Sequence, residues 1–312
     1  MINKKIAVIF PGQGSQFLGM GKDFFEVYPL AKEAFKEANS ILGYDIKRLC
    51  FDGPIEELNL TQNTQPAVLT VSTAILRVIK QETALHPELM AGHSLGEYTA
   101  LVAAGALSFA DALRLVYMRA KFMQEAVPDG VGAMAAILGL DVNIVEEICE
   151  ASTKTDSVVV PANINTPEQI VISGDDEAVK RASKLAKERG ARRVVILPVS
   201  VPSHSPLMKK AAEKLAIEMD DINFARPKVP VICNVDAKPV DSGEAIKELL
   251  VKQLYSPVQW VDTVRRMLLE KIEVIVEVGP GKVLTGIIKR INKDIRTINV
   301  DKVGDISALK DV

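Results

Sequence analysis

Cysteine is scarce: three in 312 residues, Cys50, Cys149 and Cys233, with no C-x-x-C pair. An odd, scattered set excludes a disulfide frame and a thiolate zinc site, and fits reduced thiols in a cytoplasmic protein. Net charge is almost absent, at −2, so no global field draws the chain to nucleic acid or to an anionic membrane. Long apolar runs are missing as well. "IAVIF" (6–10) stops at Pro11; it is too short for a signal-peptide core or a membrane span and suits a buried strand. No internal repeat or low-complexity stretch is visible. Histidine is rare, with three in all, so a catalytic imidazole has few possible sources.

Apolar residues are plentiful, at 48%, enough for a large domain or a large and a small one. Strands read at 6–10, 88–92, 229–235, 274–279 and 296–300. Helical patterns read at 22–42, at 66–82, after the serine turn to Gly105, and at 109–125, 244–254 and 258–271. Pro66 suits a helix start, with 61–65 as its polar approach. Ser108 with Asp111 makes a capping-box pattern. This alternation predicts an α/β fold with a mostly parallel sheet covered on both faces. The middle differs: strand 132–140, helix 141–151, a hairpin in "VVVPANIN" and "EQIVISG", helix 175–190 and strand 191–199. That order, βαββαβ, is the ferredoxin-like pattern. The expected organisation is a large α/β domain from 1–127 and 200–312, with a small ferredoxin-like domain inserted at 128–199.

"AGHSLGEYTA" (91–100) contains G-x-S-x-G, the nucleophile elbow, between a strand and an apolar helix. On so sharp a turn, side chains flanking the serine would collide. The helix that follows points its N–H groups and positive dipole end at the reaction, and the Leu95 N–H can bind an oxyanion. Ser94 needs a base. His86 precedes Pro87 in a surface loop. His93 adjoins Ser94, and adjacent side chains at a strand end point apart, so it reads as packed under the turn. His204 lies in the proline-rich loop "PVSVPSHSPLM", a place where catalytic side chains are held. No acidic residue announces itself as the group that orients this base; Asp175 and Asp176 read as a helix start, and a backbone carbonyl is the alternative.

Several stretches together resemble the bacterial malonyl-CoA:acyl-carrier-protein transacylase family: "FPGQGSQ" (10–16), "GHSLGEYTA" (92–100), "MRAKFMQ" (118–124), "NTPEQIVISG" (165–174), "PVSVPSHSPLM" (198–208), "QLYSPVQW" (253–260) and "EVGPGKVL" (277–284). They fall in family order along nearly the whole chain. The resemblance implies an α/β-hydrolase-like domain with a ferredoxin-like insert. It implies that Ser94 takes malonyl from coenzyme A as an ester, with His204 as base and later acid. Gln13 and the Leu95 N–H would form the oxyanion hole, and the Gln253 carbonyl would hold His204. Arg119 would pair with the free carboxylate of malonate, and Asn163 would lie on the small-domain wall. No cofactor is implied beyond coenzyme A as part of the substrate. The partners implied are malonyl-CoA and an acidic acyl carrier protein, with no nucleic acid and no membrane, and a monomer is expected. Candidate docking residues are Lys209, Lys210 and Lys282, then Arg192 and Arg193. Ser203 stands where malonyl-selective domains of modular synthases often carry Phe.

Arg119 can also be reached without the family. On a helix over 109–123, Phe109, Ala112, Leu113, Val116, Ala120 and Met123 form an apolar stripe, and Arg119 lies at its edge beside Ala112. The arginine either snorkels along the stripe to the surface or, entering the apolar surface, needs an anion; its planar fork matches a carboxylate, which malonyl carries and acetyl lacks. "PGQGSQ" invites a dinucleotide-loop reading, but position 17 is Phe, so G-x-G-x-x-G fails. The rival functions are a serine hydrolase sharing the elbow and a carrier-protein-binding module with a dead site.

Overall fold

In the computed structural model of the chain, residues 4–128, 130–199 and 201–311 are described. Positions 1–3, 129, 200 and 312, which fall within the expected domain ranges and at their edges, lie outside them. Among the described residues there are two sheets. The larger has six strands: β1 (Ile6–Phe10), β2 (Leu89–Gly92), β7 (Val231–Ile232), β8 (Pro239–Val240), β9 (Val274–Val278) and β10 (Arg296–Val300), in the order β10-β9-β1-β2-β7-β8. All its pairings are parallel except β7 with the edge strand β8. The smaller sheet is antiparallel: β3 (Gly132–Leu138), β4 (Val159–Thr166), β5 (Gln169–Asp175) and β6 (Arg193–Ile196), in the order β4-β5-β3-β6.

β1 is central, and all five of its residues are buried. Ile6, Val8 and Phe10 enter the larger core while Ala7 and Ile9 enter a second core on the opposite face. This is the period of two acting on a strand covered on both sides, which is why "IAVIF" has no polar residue. The smaller sheet packs Ala133, Ala135 and Ile137 against the helices Val142–Ser152 and Asp176–Glu188. Its other face carries Met134, Ala136, Ala162 and Val171.

Some expected elements have different bounds. The pattern at 22–42 is two helices, Lys22–Val27 and Pro29–Leu42, because Tyr28 is extended before Pro29. The helix expected from Pro66 begins at Thr61 and runs to Glu82, with Pro66 inside it. The polar residues 61–65 are thus helical rather than an approach, and Thr61 and Gln65, one turn apart, share a face that reaches the cleft. The strand expected at 229–235 is regular only over Val231–Ile232, and that at 191–199 only over Arg193–Ile196. Ser108 caps its helix as expected, its Oγ accepting from the Asp111 N–H at 3.0 Å.

Candidate active site

The serine turn is fixed by close backbone approach. A Cβ on Gly92 would come within 1.9 Å of the Gly96 carbonyl, and one on Gly96 within 2.1 Å of the Phe10 carbonyl oxygen. Both glycines are therefore steric requirements: the helix Gly96–Ala103 is pressed onto β2 and β1. Ser94 between them sits at φ 51°, the left-handed region, which costs a non-glycine residue on the order of 1–3 kcal/mol. Asn234 and Gln253 hold it there. The Ser94 N–H donates to Asn234 Oδ1 at 2.6 Å, and Gln253 Nε2 donates to the Ser94 carbonyl at 3.1 Å.

His204 reaches this turn from the segment between β6 and the helix Lys209–Glu218. Its Nε2 lies 2.8 Å from Ser94 Oγ, and its Nδ1 lies 2.8 Å from the Gln253 carbonyl oxygen. A carbonyl only accepts, so Nδ1 carries the proton and Nε2 presents its lone pair to the serine hydroxyl. A peptide carbonyl, not an acidic side chain, orients this imidazole. Burial, then the nearby Arg119 charge, push His204 down to about 3 from an ordinary 6.5, keeping the free imidazole neutral and able to accept a proton.

Arg119 is buried, at 1% exposure. Its Nη1 donates to Gln65 Oε1 at 2.7 Å, and its Nη2 donates to Ser94 Oγ and to Gln253 Oε1, each at 3.1 Å. The guanidinium also lies over the Tyr98 ring at 5.7 Å. Every acceptor is neutral, and among the described residues no carboxylate makes an ion pair with this arginine. Arg114 and Lys121 of the same helix are exposed.

These groups open into one cleft of about 330 Å³. Ser94, Leu95, His204, Arg119, Gln13, Thr61 and Gln65 line one side; Met134, Asn163, Leu197, Pro198 and Val199 line the other. Asn163, in β4, lies on the small-sheet wall. Gln13 is exposed, and its Nε2 donates to Thr61 Oγ1 at 3.2 Å. That leaves its backbone N–H, with that of Leu95, as the donors free to face an oxyanion; among the described residues neither is engaged by another group. His93, half-buried, lies against Trp260 with ring centroids 5.4 Å apart, its Nε2 2.8 Å from Asn165 Oδ1. Lys209, Lys210 and Lys282 are exposed at helix starts beyond the cleft lining. Among the described residues no group of three or more His, Cys, Asp or Glu side chains could hold a metal ion, and no helix is long and apolar enough to cross a membrane.

Three residues of the site escape the sequence reading. Asn234 reads as part of a strand, though it is the one polar side chain at the end of "VPVIC". Gln65 reads as polar approach. Glu97 passes as part of the serine motif, although a carboxylate in the otherwise uncharged run "GEYTALVAAGAL" is a visible anomaly. It is 1% exposed, and burial pushes it up to about 7.

A parallel sheet covered by helices, with a serine on a strand-to-helix elbow and an imidazole on its hydroxyl, defines the class of α/β serine enzymes. The chain belongs to the acyl transferase domain family, whose profile matches residues 8–305. The malonyl CoA-acyl carrier protein transacylase of Escherichia coli (strain K12) is 53% identical over 305 residues, 98% of this chain and 97% of that protein. The crystal structure of an acyl carrier protein S-malonyltransferase from Vibrio cholerae superposes with a TM-score of 0.96 at 48% identity, covering 98% of this chain and 100% of that one. A malonyl-transacylase solved in complex with a type II polyketide-synthase acyl-carrier protein superposes with a TM-score of 0.96 at 47% identity, covering 98% and 99%.

Proposed function

We propose that this chain is a malonyltransferase of fatty-acid synthesis. It moves the malonyl group from malonyl-CoA to the phosphopantetheine thiol of an acyl carrier protein, through a malonyl ester on Ser94. In this reading 128–199 is a separate inserted domain whose open face roofs the cleft, and the reaction runs in the cytoplasm without a cofactor other than coenzyme A within the substrate.

The chemistry follows from the positions of the groups. Ser94 Oγ attacks the thioester carbonyl carbon while His204 Nε2 takes its proton. The oxygen that becomes negative lies toward the Leu95 and Gln13 N–H groups, at the positive end of the helix after the elbow. Collapse breaks the C–S bond, and His204 returns the proton to the departing thiol. The carrier thiol then repeats the sequence in reverse: it gives its proton to His204, attacks the ester and frees Ser94. Arg119 holds the malonyl carboxylate by two parallel hydrogen bonds, which fixes the acyl carbonyl over the serine.

The observation that carries this reading is the buried Arg119 charge 3.1 Å from the nucleophile and bonded, among the described residues, only to neutral acceptors. A hydrolase of neutral esters has no use for it. The test is intact-mass spectrometry after treatment with malonyl-CoA. A malonyl adduct should form, persist in buffer, and pass to added holo-carrier protein. Rapid loss to water alone would mean a thioesterase, and no adduct would mean a binding module.

A further inference from the structure

The acyl-transfer reading uses Ser94, His204, Arg119 and Gln253, but not the one buried carboxylate beneath them. Glu97 lies in the first turn of the helix that starts at the elbow. Its Oε2 accepts two hydrogen bonds from distant parts of the chain: the Asn234 backbone N–H at 2.9 Å and Gln253 Nε2 at 2.8 Å. Arg119, on the helix Phe109–Ala126, is the cation that faces it, and Tyr98 is its titratable neighbour along its own helix.

The two residues it grips are the ones that hold the reacting pair. Asn234 Oδ1 takes the Ser94 N–H, while Asn234 Nδ2 donates to the Gly92 carbonyl at 2.7 Å. Gln253 touches everything else: its Nε2 donates to the Ser94 carbonyl, its Oε1 accepts from Arg119, and its backbone carbonyl accepts from His204 Nδ1. Asn234 follows β7 and Gln253 ends the helix Gly243–Gln253. Among the described residues, the Glu97 oxygen is the one acceptor that both share.

We propose that Glu97 is a positioning residue for the acyl-transfer pair. By tying the Asn234 backbone to the Gln253 side chain, one carboxylate oxygen sets the distance between Ser94 and His204. The proposal rests on the reading of Ser94 and His204 as the transfer pair, and no bond to Glu97 is made or broken in the reaction.

The test compares wild type, Glu97→Ala, Glu97→Asp and Glu97→Gln in two reactions at Ser94. One is malonyl loading from malonyl-CoA. The other is inactivation by a small serine-directed sulfonyl fluoride, in which Ser94 Oγ bonds to sulfur, fluoride leaves and His204 takes the proton. The second reagent has no carboxylate, so it reports on the serine–imidazole pair without Arg119. Misplacing a reacting group by about 1 Å costs on the order of 10²-fold. Both rates should fall by that order in Glu97→Ala, with the malonyl-CoA KM moving far less, because Arg119 keeps Gln65 and Ser94. The amide oxygen introduced by Glu97→Gln can accept the same two donors, so that variant should recover at least about tenfold of the loss, whereas a carboxylate drawn back by one methylene in Glu97→Asp should not. If Glu97→Ala does not fold by circular dichroism, the Asp and Gln pair decides. Folded Ala or Asp variants that are sulfonylated at the wild-type rate overturn the proposal. A wild-type chain modified by neither reagent at Ser94 overturns the acyl-transfer reading, and this proposal with it.

Discussion

The two walls of the cleft are built from different materials. The large-sheet wall is polar and cross-linked: Ser94, His204, Arg119, Gln253, Asn234 and Glu97 are joined by hydrogen bonds of 2.6–3.1 Å. The small-sheet wall is mostly apolar, with Met134, Leu197, Pro198 and Val199 around one amide, Asn163. A low-dielectric roof over a polar floor strengthens each charge interaction on the floor. One wall thus holds the polar groups and the other the apolar ones, and each can be tested separately.

The largest effect should come from the floor. Ser94→Ala should abolish the malonyl adduct, because among the described residues no other hydroxyl is hydrogen-bonded to His204; an adduct on the alanine protein would refute the assignment. His204→Ala should slow loading by roughly 10³-fold or more, as loss of a base in a serine machine does. If His93→Ala were the more damaging change in a folded protein, the base would be the other histidine. Arg119→Ala comes next. It should cost about 2–5 kcal/mol in malonyl transfer while sparing acetyl transfer, measured as kcat/KM for both acyl-CoA substrates. Equal losses would make Arg119 a structural cation.

On the roof the expected effect is smaller and of another kind. Met134→Ala should leave malonyl loading close to wild type but improve the relative kcat/KM for a methyl-branched malonyl-CoA, since an apolar wall discriminates one methyl group by about 1–3 kcal/mol. A loss of malonyl turnover without a change in branched-chain tolerance would erase the division between the walls. The smallest effect concerns pH. His204 lies below its unfolded value, so it stays neutral when folded, and its share of stability is full above 6.5 and lost as pH falls from there toward about 3. The loading kcat/KM should therefore show no His204 inflection between about pH 5 and 8. Arg119 and His93 both push His204 the same way, while Glu97 reaches it through Gln253. An inflection near 7 that vanishes in Glu97→Gln belongs to Glu97; one that survives shows His204 titrating.

Legibility follows the range of the interaction. The serine turn is readable because its demand is local: two glycines and a helix within five residues. Arg119 is readable from one helix face, and the βαββαβ order comes from alternating patterns. His204 emerges from scarcity, three histidines and two poor positions. The rest depends on contacts across the chain. Asn234 meets Ser94 over 140 residues and Gln253 meets Glu97 over 156, and no pattern along one segment encodes such a meeting. That His204 is oriented by a peptide carbonyl is invisible in principle, since every residue has one; only the resemblance points to Gln253. The helix over 61–65 is hidden because Pro66 is a strong start signal, and packing of Thr61, Thr64 and Gln65, all buried, overrides it.

The bridge between the sheets has a mechanical meaning. β4 of the small sheet is sewn at Val258 to the segment leading into the helix Trp260–Leu269: the Val258 N–H donates to the Ala162 carbonyl and its carbonyl accepts from the Ile164 N–H, both at 2.9 Å. Asn165, two residues past Asn163, is clipped to His93, the neighbour of the nucleophile. The roof is thus stitched to the floor within a few residues of the reacting atoms, so the cleft behaves as a jaw with a fixed gap, not as a mouth with a lip that shuts. An acyl group is gauged by whether it slides into that gap, and the long pantetheine arm of either donor or acceptor is the part that must thread its way in.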